Sequence, residues 1–438
     1  MDALNTPTAG PETEQRASPE APEAGPFAGD AILGQPQRWW FLPLLVLSWF
    51  GSAVVYGAVV GASMPKLLTL WGPESKEVNL AIIASIGGIV VMIITPLFGR
   101  LSDRTTSAWG MRKPWFLGGF LVGTAGIVLQ AFADSIWLLV LGWCVTQIGY
   151  GAVAMANHTL LADQVPQRIR ARVAAATGVG AGVATVVGVA VVAALPLDQS
   201  WTWFIVPGAI GLLTTVPMLF GYRDAVRTDK PAPLRFRDLL STYWLNPAVY
   251  RDFAWAWTSR FFMTMSILSI ALYLFFLIVE TLGYSVEEAG GVQTTALACF
   301  FAGNVVAMLF FGWLSDRLGR RKLIVWTSGI VSGSGVLLLM VSPDMPTFLI
   351  AISIVGFAQG AYLSVDVALM TEVLPSFQDA GKDLGIVALA YQLPQVLAPF
   401  AVALCIGLAG GSYLGLYLLS ILCSVLGGVT IIPVRGVK

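Results

Sequence analysis

Long apolar runs alternate with short polar segments along the chain from residue 38 onward. A helix needs roughly 20 mostly apolar residues to cross the hydrocarbon core of a bilayer, and each run is about that long. Glycine and alanine are frequent inside the runs, which suits close helix packing in lipid. The pattern predicts an all-α membrane protein with twelve transmembrane helices, at residues 39–62, 77–99, 115–133, 135–161, 172–195, 201–222, 253–281, 288–313, 322–342, 345–373, 383–409 and 412–433.

Composition supports the same class and sets the N-terminus apart. The chain is 56% hydrophobic and 11% charged, whereas about 25% of the residues in an ordinary soluble domain are charged. Residues 1–37 differ from the rest, because they are rich in Pro, Ala, Glu and Gly and carry an excess of acidic side chains. Such a composition predicts a disordered cytoplasmic arm ahead of the first helix.

Positive charge is concentrated on one side of the predicted bundle. If the N-terminus is cytoplasmic, the 25 Lys and Arg residues all fall in cytoplasmic segments except Lys66, Lys76 and Arg260. Membrane proteins keep an excess of lysine and arginine in their cytoplasmic loops. We therefore predict a multi-pass protein of the cell membrane with both termini in the cytoplasm.

Two basic segments of the chain repeat each other. The first, residues 99–113, reads GRLSDRTTSAWGMRK, and the second, residues 312–322, reads GWLSDRLGRRK. Downstream of these segments the two halves align with an offset of 209 residues, which pairs Asp163 with Glu372. Membrane carriers are commonly built from such internal repeats. The repeat predicts two pseudo-symmetric six-helix bundles, at 38–222 and 252–438, joined by a cytoplasmic linker at 223–251.

The two basic segments resemble the signature loop of the major facilitator superfamily, which lies between helices 2 and 3 and again between helices 8 and 9. The resemblance covers the chain after the N-terminal arm. It implies a twelve-helix secondary transporter that works by alternating access, with loops that latch its cytoplasmic side and glycines that let backbones approach closely. Together with the repeat symmetry it assigns gating to Gly99, Asp103, Arg104, Arg112, Gly312, Asp316, Arg317, Arg320, Asp163 and Glu372.

The first basic segment opens a longer motif. Residues 102–115 read SDRTTSAWGMRKPW, which is similar to the extended loop of sucrose/proton symporters and their animal relatives. This resemblance implies proton-coupled symport of a sugar or glycoside. The alternative is proton-driven efflux of a drug or secondary metabolite, although helix 5 reads GVGAG at 178–182, without the Gly-Pro pattern of drug antiporters. A receptor or scaffold on the same fold is a further alternative.

Ionisable residues inside predicted spans are candidates for proton coupling, because charge within a bilayer is costly and usually functional. Arg260 and Asp366 lie at similar predicted depths, roughly 10 and 12 Å from the cytoplasmic ends of helices 7 and 10. We predict an ion pair in which Asp366 takes up a proton when Arg260 moves away, and the alternative is a fixed structural pair that holds the two helices together. His158, the only histidine, titrates near neutral pH and is a candidate proton relay.

Amide and aromatic side chains in the predicted spans are candidates for substrate binding. Amides both donate and accept hydrogen bonds, and aromatic rings offer flat apolar surfaces. The combination suits a polyhydroxyl ligand, and it also suits many drug-like molecules. The candidates are Trp49, Tyr56, Gln147, Tyr150, Asn157, Gln359, Tyr362, Tyr391, Gln392 and Gln395, with Gln293 and Asn304 offered by helix 8.

Other chemistries lack a sequence signal. The chain contains no phosphate-binding Gly-x-x-x-x-Gly-Lys loop, and one histidine with four scattered cysteines predicts no metal site. We therefore expect a protein that is not an enzyme, has no cofactor and binds no nucleic acid. Its expected partners are a small-molecule substrate, protons and the lipid bilayer, and it is expected to work as a monomer.

Overall fold

The computed structural model describes residues 38–227, 250–373 and 380–434, with side chains of the last range described from residue 386. The predicted N-terminal arm and most of the predicted linker lie outside these ranges. Within them the regular elements are helices, which we number α1 Phe41–Trp71, α2 Lys76–Ser102, α3 Lys113–Ala131, α4 Ile136–Gln164, α5 Gln167–Ala193, α6 Thr202–Gly221, α7 Arg251–Thr281, α8 Val286–Leu318, α9 Arg321–Met340, α10 Met345–Glu372, α11 Ala380–Leu408 and α12 Leu414–Thr430.

The helices confirm the predicted all-α, twelve-helix architecture. Among the described residues, eleven helices are long and apolar enough to cross a membrane, and α12 is a shorter apolar helix of 17 residues. Helices α1–α6 make the first half and α7–α12 the second. We call the end of the bundle that carries both basic segments the basic face, and the other end the opposite face. Lys322 Nζ donates to Val434 O at 2.7 Å, which places the chain after α12 on the basic face.

Helix α1 is longer than the sequence predicts, because it runs through Pro65 and Lys66 to Trp71. The sequence predicts that this helix ends at residue 62, and the structure shows how it continues through the proline and the lysine. The turn Val59–Ser63 is a π-helix that precedes the proline. Lys66 lies with its Nζ 4.4 Å from the ring centroid of Trp203 and donates to backbone carbonyls at the C-terminus of α5. The charge is therefore satisfied inside the bundle.

Helix α8 also exceeds its predicted limits of 288–313. It begins one residue after Ser285, which forms a capping box with Glu288. It ends at Leu318 because Gly319 adopts a left-handed conformation, with φ 61°, as glycine commonly does after a helix. The first residues of the second basic segment are consequently helical rather than part of a loop.

Glycines set the closest helix contact of the first half, between α3 and α4. A Cβ added at Gly149 would meet the backbone of Gly119 and Gly123 at less than van der Waals distance. Small residues let helices in membranes approach until their backbones touch. The contact positions α4, which carries several of the candidate polar residues.

We expect Gly149→Val to destabilise the protein, because its side chain must push α3 and α4 apart. Overpacking of this kind costs about 1–3 kcal/mol. Thermal unfolding of the purified protein in detergent, followed by tryptophan fluorescence, measures the loss. Gly178→Val is the matched control, since a Cβ there meets nothing within 4 Å. Equal unfolding temperatures for the two variants would contradict the close packing.

Candidate functional site

A buried ion pair lies in the second half, between α7 and α10. Arg260 Nη1 is 3.2 Å from Asp366 Oδ2, and the Asp366 side chain is only 5% exposed. Tyr362, one turn earlier on α10, donates its hydroxyl to Asp366 Oδ1 at 2.6 Å. The carboxylate therefore has a counter-charge on one oxygen and a neutral donor on the other. Tyr391 on α11 is half exposed and lies within reach of the Arg260 charge.

The matching position of the first half is neutral. Asn157 on α4 stands 209 residues before Asp366 and is buried. Ser48 on α1 donates its hydroxyl to Asn157 Oδ1 at 3.0 Å. The next residues on both helices also meet, because Trp49 and His158 pack edge to face with ring centroids 4.5 Å apart. The two halves thus contribute different chemistry at equivalent places.

An aromatic cluster continues along α1 and α4. The Tyr56 ring lies edge-on to Trp143 and Tyr150, with centroids 5.8 and 6.2 Å away. Several buried polar atoms here and in the second half have no hydrogen-bond partner among the described residues. They belong to candidates named from the sequence, and they are Trp49 Nε1, Gln147 Oε1, Tyr150 OH, Asn157 Nδ2 and Gln359 Oε1. Buried polar groups without partners are costly, so a water molecule or a polar ligand that reached these atoms would be stabilising.

The remaining amide candidates have different surroundings. Gln392 and Gln395 on α11 are half-buried. A Cβ at Gly88 of α2 would meet the backbone of Gln395 and the side chain of Val396, and Ser85 Oγ donates to Val396 O at 2.7 Å. This stretch of α11 therefore packs against the first half. Asn304 on α8 is buried.

On the basic face, Arg112 connects the ends of three helices. Its guanidinium donates to Ser102 Oγ at 2.8 Å and lies 2.7 Å from Asp103 Oδ1 and 3.4 Å from Asp163 Oδ2. In the second half, Arg321 forms an ion pair with Glu372. These two residues stand 209 positions after Arg112 and Asp163, so the pair is a true repeat of the first.

The gating roles expected in the basic segments stay predictions, and the structure shows where these residues lie. The sequence named Arg320 as a gating residue, but the structure brings its neighbour Arg321 to Glu372, and the repeat offset applied to Arg112 would have found it. Asp316, Arg317 and Arg320 are exposed, with Arg317 stacked on Trp313. A Cβ at Gly99 or Gly312 meets nothing within 4 Å. Among the described residues, no close backbone approach occurs at these two glycines. Arg104 is half-buried.

The opposite face holds a polar cluster that the sequence analysis missed. We call it the opposite-face lock. It contains an ion pair between Lys76 of α2 and Glu280 of α7, and a hydrogen bond from the Tyr413 hydroxyl to the Glu77 carboxylate. The Tyr273 hydroxyl lies 3.2 Å from Glu77 O. Each contact joins one half to the other. The sequence did contain a signal for this cluster. Lys66 and Lys76 lie between predicted helices 1 and 2, on the side of the membrane where lysine and arginine are otherwise absent from the predicted loops.

Gln293, a substrate candidate from the sequence, instead bridges the halves beside this lock. Its Nε2 donates to Gly61 O at 2.6 Å. Pro65 has no amide hydrogen, so the usual helix donor to the Gly61 carbonyl is missing. The Gly61 carbonyl, which lies in the π-turn of α1, is thus an acceptor that the other half uses.

The arrangement of the two halves and of the buried ion pair is typical of one class of membrane protein. Two six-helix halves meet at one face through breakable polar contacts, and a buried ion pair lies deep in one half. Such a molecule can expose its interior to either side of a membrane in turn, as secondary transporters do.

Comparison with known proteins gives the family. The chain matches the profile of the Major Facilitator Superfamily over residues 44–297 and 290–437. The protein belongs to the major facilitator superfamily and is a multi-pass membrane transporter.

Individual relatives are similar over shorter stretches. The inner membrane transport protein YajR of Escherichia coli is 35% identical over 120 residues, 27% of this chain and 25% of its own length. The class H tetracycline resistance protein of Pasteurella multocida is 29% identical over 133 residues, 30% of this chain and 32% of its own. The matches thus span no more than about a third of either relative.

A solved structure resembles the whole chain. A bacterial homologue of the human lysosomal transporter Spinster, in an inward-facing and occupied conformation, aligns with a TM-score of 0.68 and 14% identity. The alignment covers 91% of this chain and 96% of that one. This likeness concerns the fold alone.

Proposed function

We propose that the protein is a secondary active transporter that carries a sugar or glycoside together with a proton. It works as a monomer by alternating access, with the basic face and both termini in the cytoplasm. The conformation described above is the one closed at the opposite, outer face, because the polar contacts of the opposite-face lock join the halves there.

The ion pair between Arg260 and Asp366 carries this proposal. Because the two charges neutralise each other at 3.2 Å, the site presents little net charge to a ligand. In the first half, the described candidates near the same depth include the uncharged side chains of Asn157 and Tyr150, with His158 beside Asn157. A neutral ligand with many hydroxyl groups fits such surroundings, since it can satisfy buried amide and hydroxyl groups without bringing in a charge.

The same pair supports coupling to protons. A carboxylate that loses its positive partner inside a low-dielectric site takes up a proton, since the unpaired charge is costly there. If Arg260 swings toward a bound ligand, Asp366 is left with only the Tyr362 hydroxyl. A proton then replaces the lost counter-charge and travels with the ligand. His158, edge-on to Trp49 and exposed, is placed to relay protons to the basic face.

Proton-driven export of a drug or secondary metabolite is the second candidate. The similarity to the tetracycline resistance protein favours it, and the aromatic cluster around Tyr56 suits a flat apolar ligand. The protonation step at Asp366 serves either direction. The two candidates differ in the ligand that binds and in the sign of the coupled proton movement.

A ligand screen separates the two candidates. We expect a neutral disaccharide or glycoside to raise the unfolding temperature of the detergent-purified protein by about 2 °C or more at saturating concentration. Probes are sucrose, maltose, an aryl β-glucoside and tetracycline. Gln147→Leu should abolish the shift while Gly178→Val retains it, because only the first removes a buried unpartnered amide. Stabilisation by tetracycline and by no sugar would overturn the import proposal.

A further inference from the structure

The start of the linker between the halves is attached to the first basic segment. We call residues 222–227, which directly follow α6, the docking segment. Asp224 Oδ2 accepts the backbone N–H of Arg112 at 2.6 Å and that of Lys113 at 2.7 Å. Ala225 O accepts the N–H of Met111 at 2.9 Å. The docking segment thus binds three successive backbone donors.

Side chains strengthen the same attachment. Arg227 Nη1 donates to Asp103 O at 2.5 Å, and Lys113 Nζ lies 5.1 Å from the ring centroid of Tyr222. Asp224 is only 9% exposed. Gly110 has φ 109°, and its missing Cβ is the space that the Asp224 carboxylate fills. The sequence of the loop therefore leaves room for this carboxylate.

The repeat shows that the carboxylate is specific to the first half. Val434, which stands 209 residues after Ala225, accepts from Lys322 at 2.7 Å, so the second half also ties its last segment to its basic segment. The residue equivalent to Asp224 is Pro433, which is exposed. At Gly319, the equivalent of Gly110, a Cβ meets nothing within 4 Å.

We propose that Asp224 is a positioning residue that docks the origin of the linker on the first basic segment and fixes the backbone of Arg112 for its ion pairs with Asp103 and Asp163. Arg112 is then held at both ends, by Asp224 at its main chain and by the two acids at its guanidinium. The second basic segment lacks the carboxylate anchor. The first half therefore holds its basic segment by a carboxylate that the second half replaces with Pro433 at the equivalent position. This inference rests on the transport function proposed above.

One oxygen of Asp224 accepts both backbone N–H groups, so docking needs an acceptor at this place. Burial raises the pKa of Asp224 above its usual value, more than the two N–H donors and the charges of Arg112 and Lys113 lower it. Ionisation of Asp224 is therefore less favourable in the docked state than in water. A neutral amide of the same shape keeps an oxygen that accepts both N–H groups, so asparagine should support docking and alanine should not.

Hydrogen–deuterium exchange tests the docking on the full-length protein in detergent. We expect Asp224→Ala to make the amides of the peptide covering residues 110–114 exchange about tenfold faster, while Asp224→Asn exchanges like the wild type. The matched control Pro433→Ala should change neither this peptide nor the one covering residues 319–323. Unchanged exchange in Asp224→Ala would overturn the docking role, and equal acceleration in Asp224→Asn would overturn the claim that a neutral acceptor suffices.

A distance measurement tests the positioning role. Spin labels on cysteines placed at the exposed positions Glu74 and Ser412, in a cysteine-free background, report opening of the opposite face. Asp224→Ala should shift the distance populations in the same direction as Asp163→Asn, and the double variant should shift them no further, because both act through Arg112. Additive shifts, or faster exchange with unchanged distances, would show a merely structural role and overturn the proposal. Neither measurement uses a ligand or a proton gradient. A negative result would therefore contradict the docking proposal without bearing on the proposed transport reaction.

Discussion

Asp366→Asn is expected to abolish uphill transport while leaving exchange of ligand across the membrane intact. For one proton per ligand, a pH gradient of one unit drives about tenfold accumulation, since a tenfold ratio corresponds to about 1.4 kcal/mol. The variant has no group to protonate beside Arg260, so the inside and outside concentrations should become equal. Uptake of labelled ligand into proteoliposomes with an alkaline interior measures the ratio.

The controls for this variant lie on the same helix and in the same ion pair. Asp344→Asn makes the same chemical change at the exposed N-cap of α10, where Asp344 Oδ1 accepts from Thr347 N at 3.0 Å, and asparagine is an equally good cap. It should accumulate ligand like the wild type. Arg260→Ala should also lose accumulation, since it leaves a buried carboxylate without its partner. Normal accumulation by Asp366→Asn would remove this residue from the coupling step and leave His158 and Asp163 as candidates.

Charge reversal in the opposite-face lock is expected to change the preferred conformation of the transporter. Lys76→Glu places a negative charge beside Glu77 and Glu280, so the ion pair across the halves becomes a repulsion. The halves should then separate at the opposite face. Spin labels at Glu74 and Ser412 should report a longer mean distance in the variant than in the wild type.

The reciprocal exchange is the sharper form of this prediction. Combining Lys76→Glu with Glu280→Lys restores opposite charges at the same place and should return the distance to that of the wild type. Coupling of this kind between two sites is what a double-mutant cycle isolates. A double variant as open as Lys76→Glu alone would contradict the pairing across the halves.

Structural features that depend on the order of apolar and charged residues along the chain were predictable from the sequence. Apolar run length gave the twelve helices, and the repeated basic segments indicated the two halves. The meeting of Arg260 with Asp366 followed from their similar depth and opposite charge, although their part in coupling stays a prediction.

Features that depend on contacts between distant segments were not predicted. The bond from Gln293 to Gly61 joins residues 232 positions apart, and the pattern of apolar and polar positions does not indicate it. Docking of Asp224 on Arg112 joins residues 112 positions apart, and the linker gave no pattern to locate it. The roles of Arg321 and Lys76 could have been predicted. The repeat offset of 209 residues leads from Arg112 to Arg321, and Lys76 is one of the few basic residues outside the predicted cytoplasmic segments.

The direction of proton movement during ligand entry tests the central claim most directly. Proteoliposomes without a gradient receive the stabilising glycoside in a weakly buffered medium, and the external pH is recorded. Symport carries protons inward with the ligand, so the account predicts alkalinisation of the medium that a protonophore abolishes and that Asp366→Asn lacks. Acidification would indicate exchange of ligand for protons and contradict symport, and an unchanged pH during measured uptake would contradict proton coupling altogether.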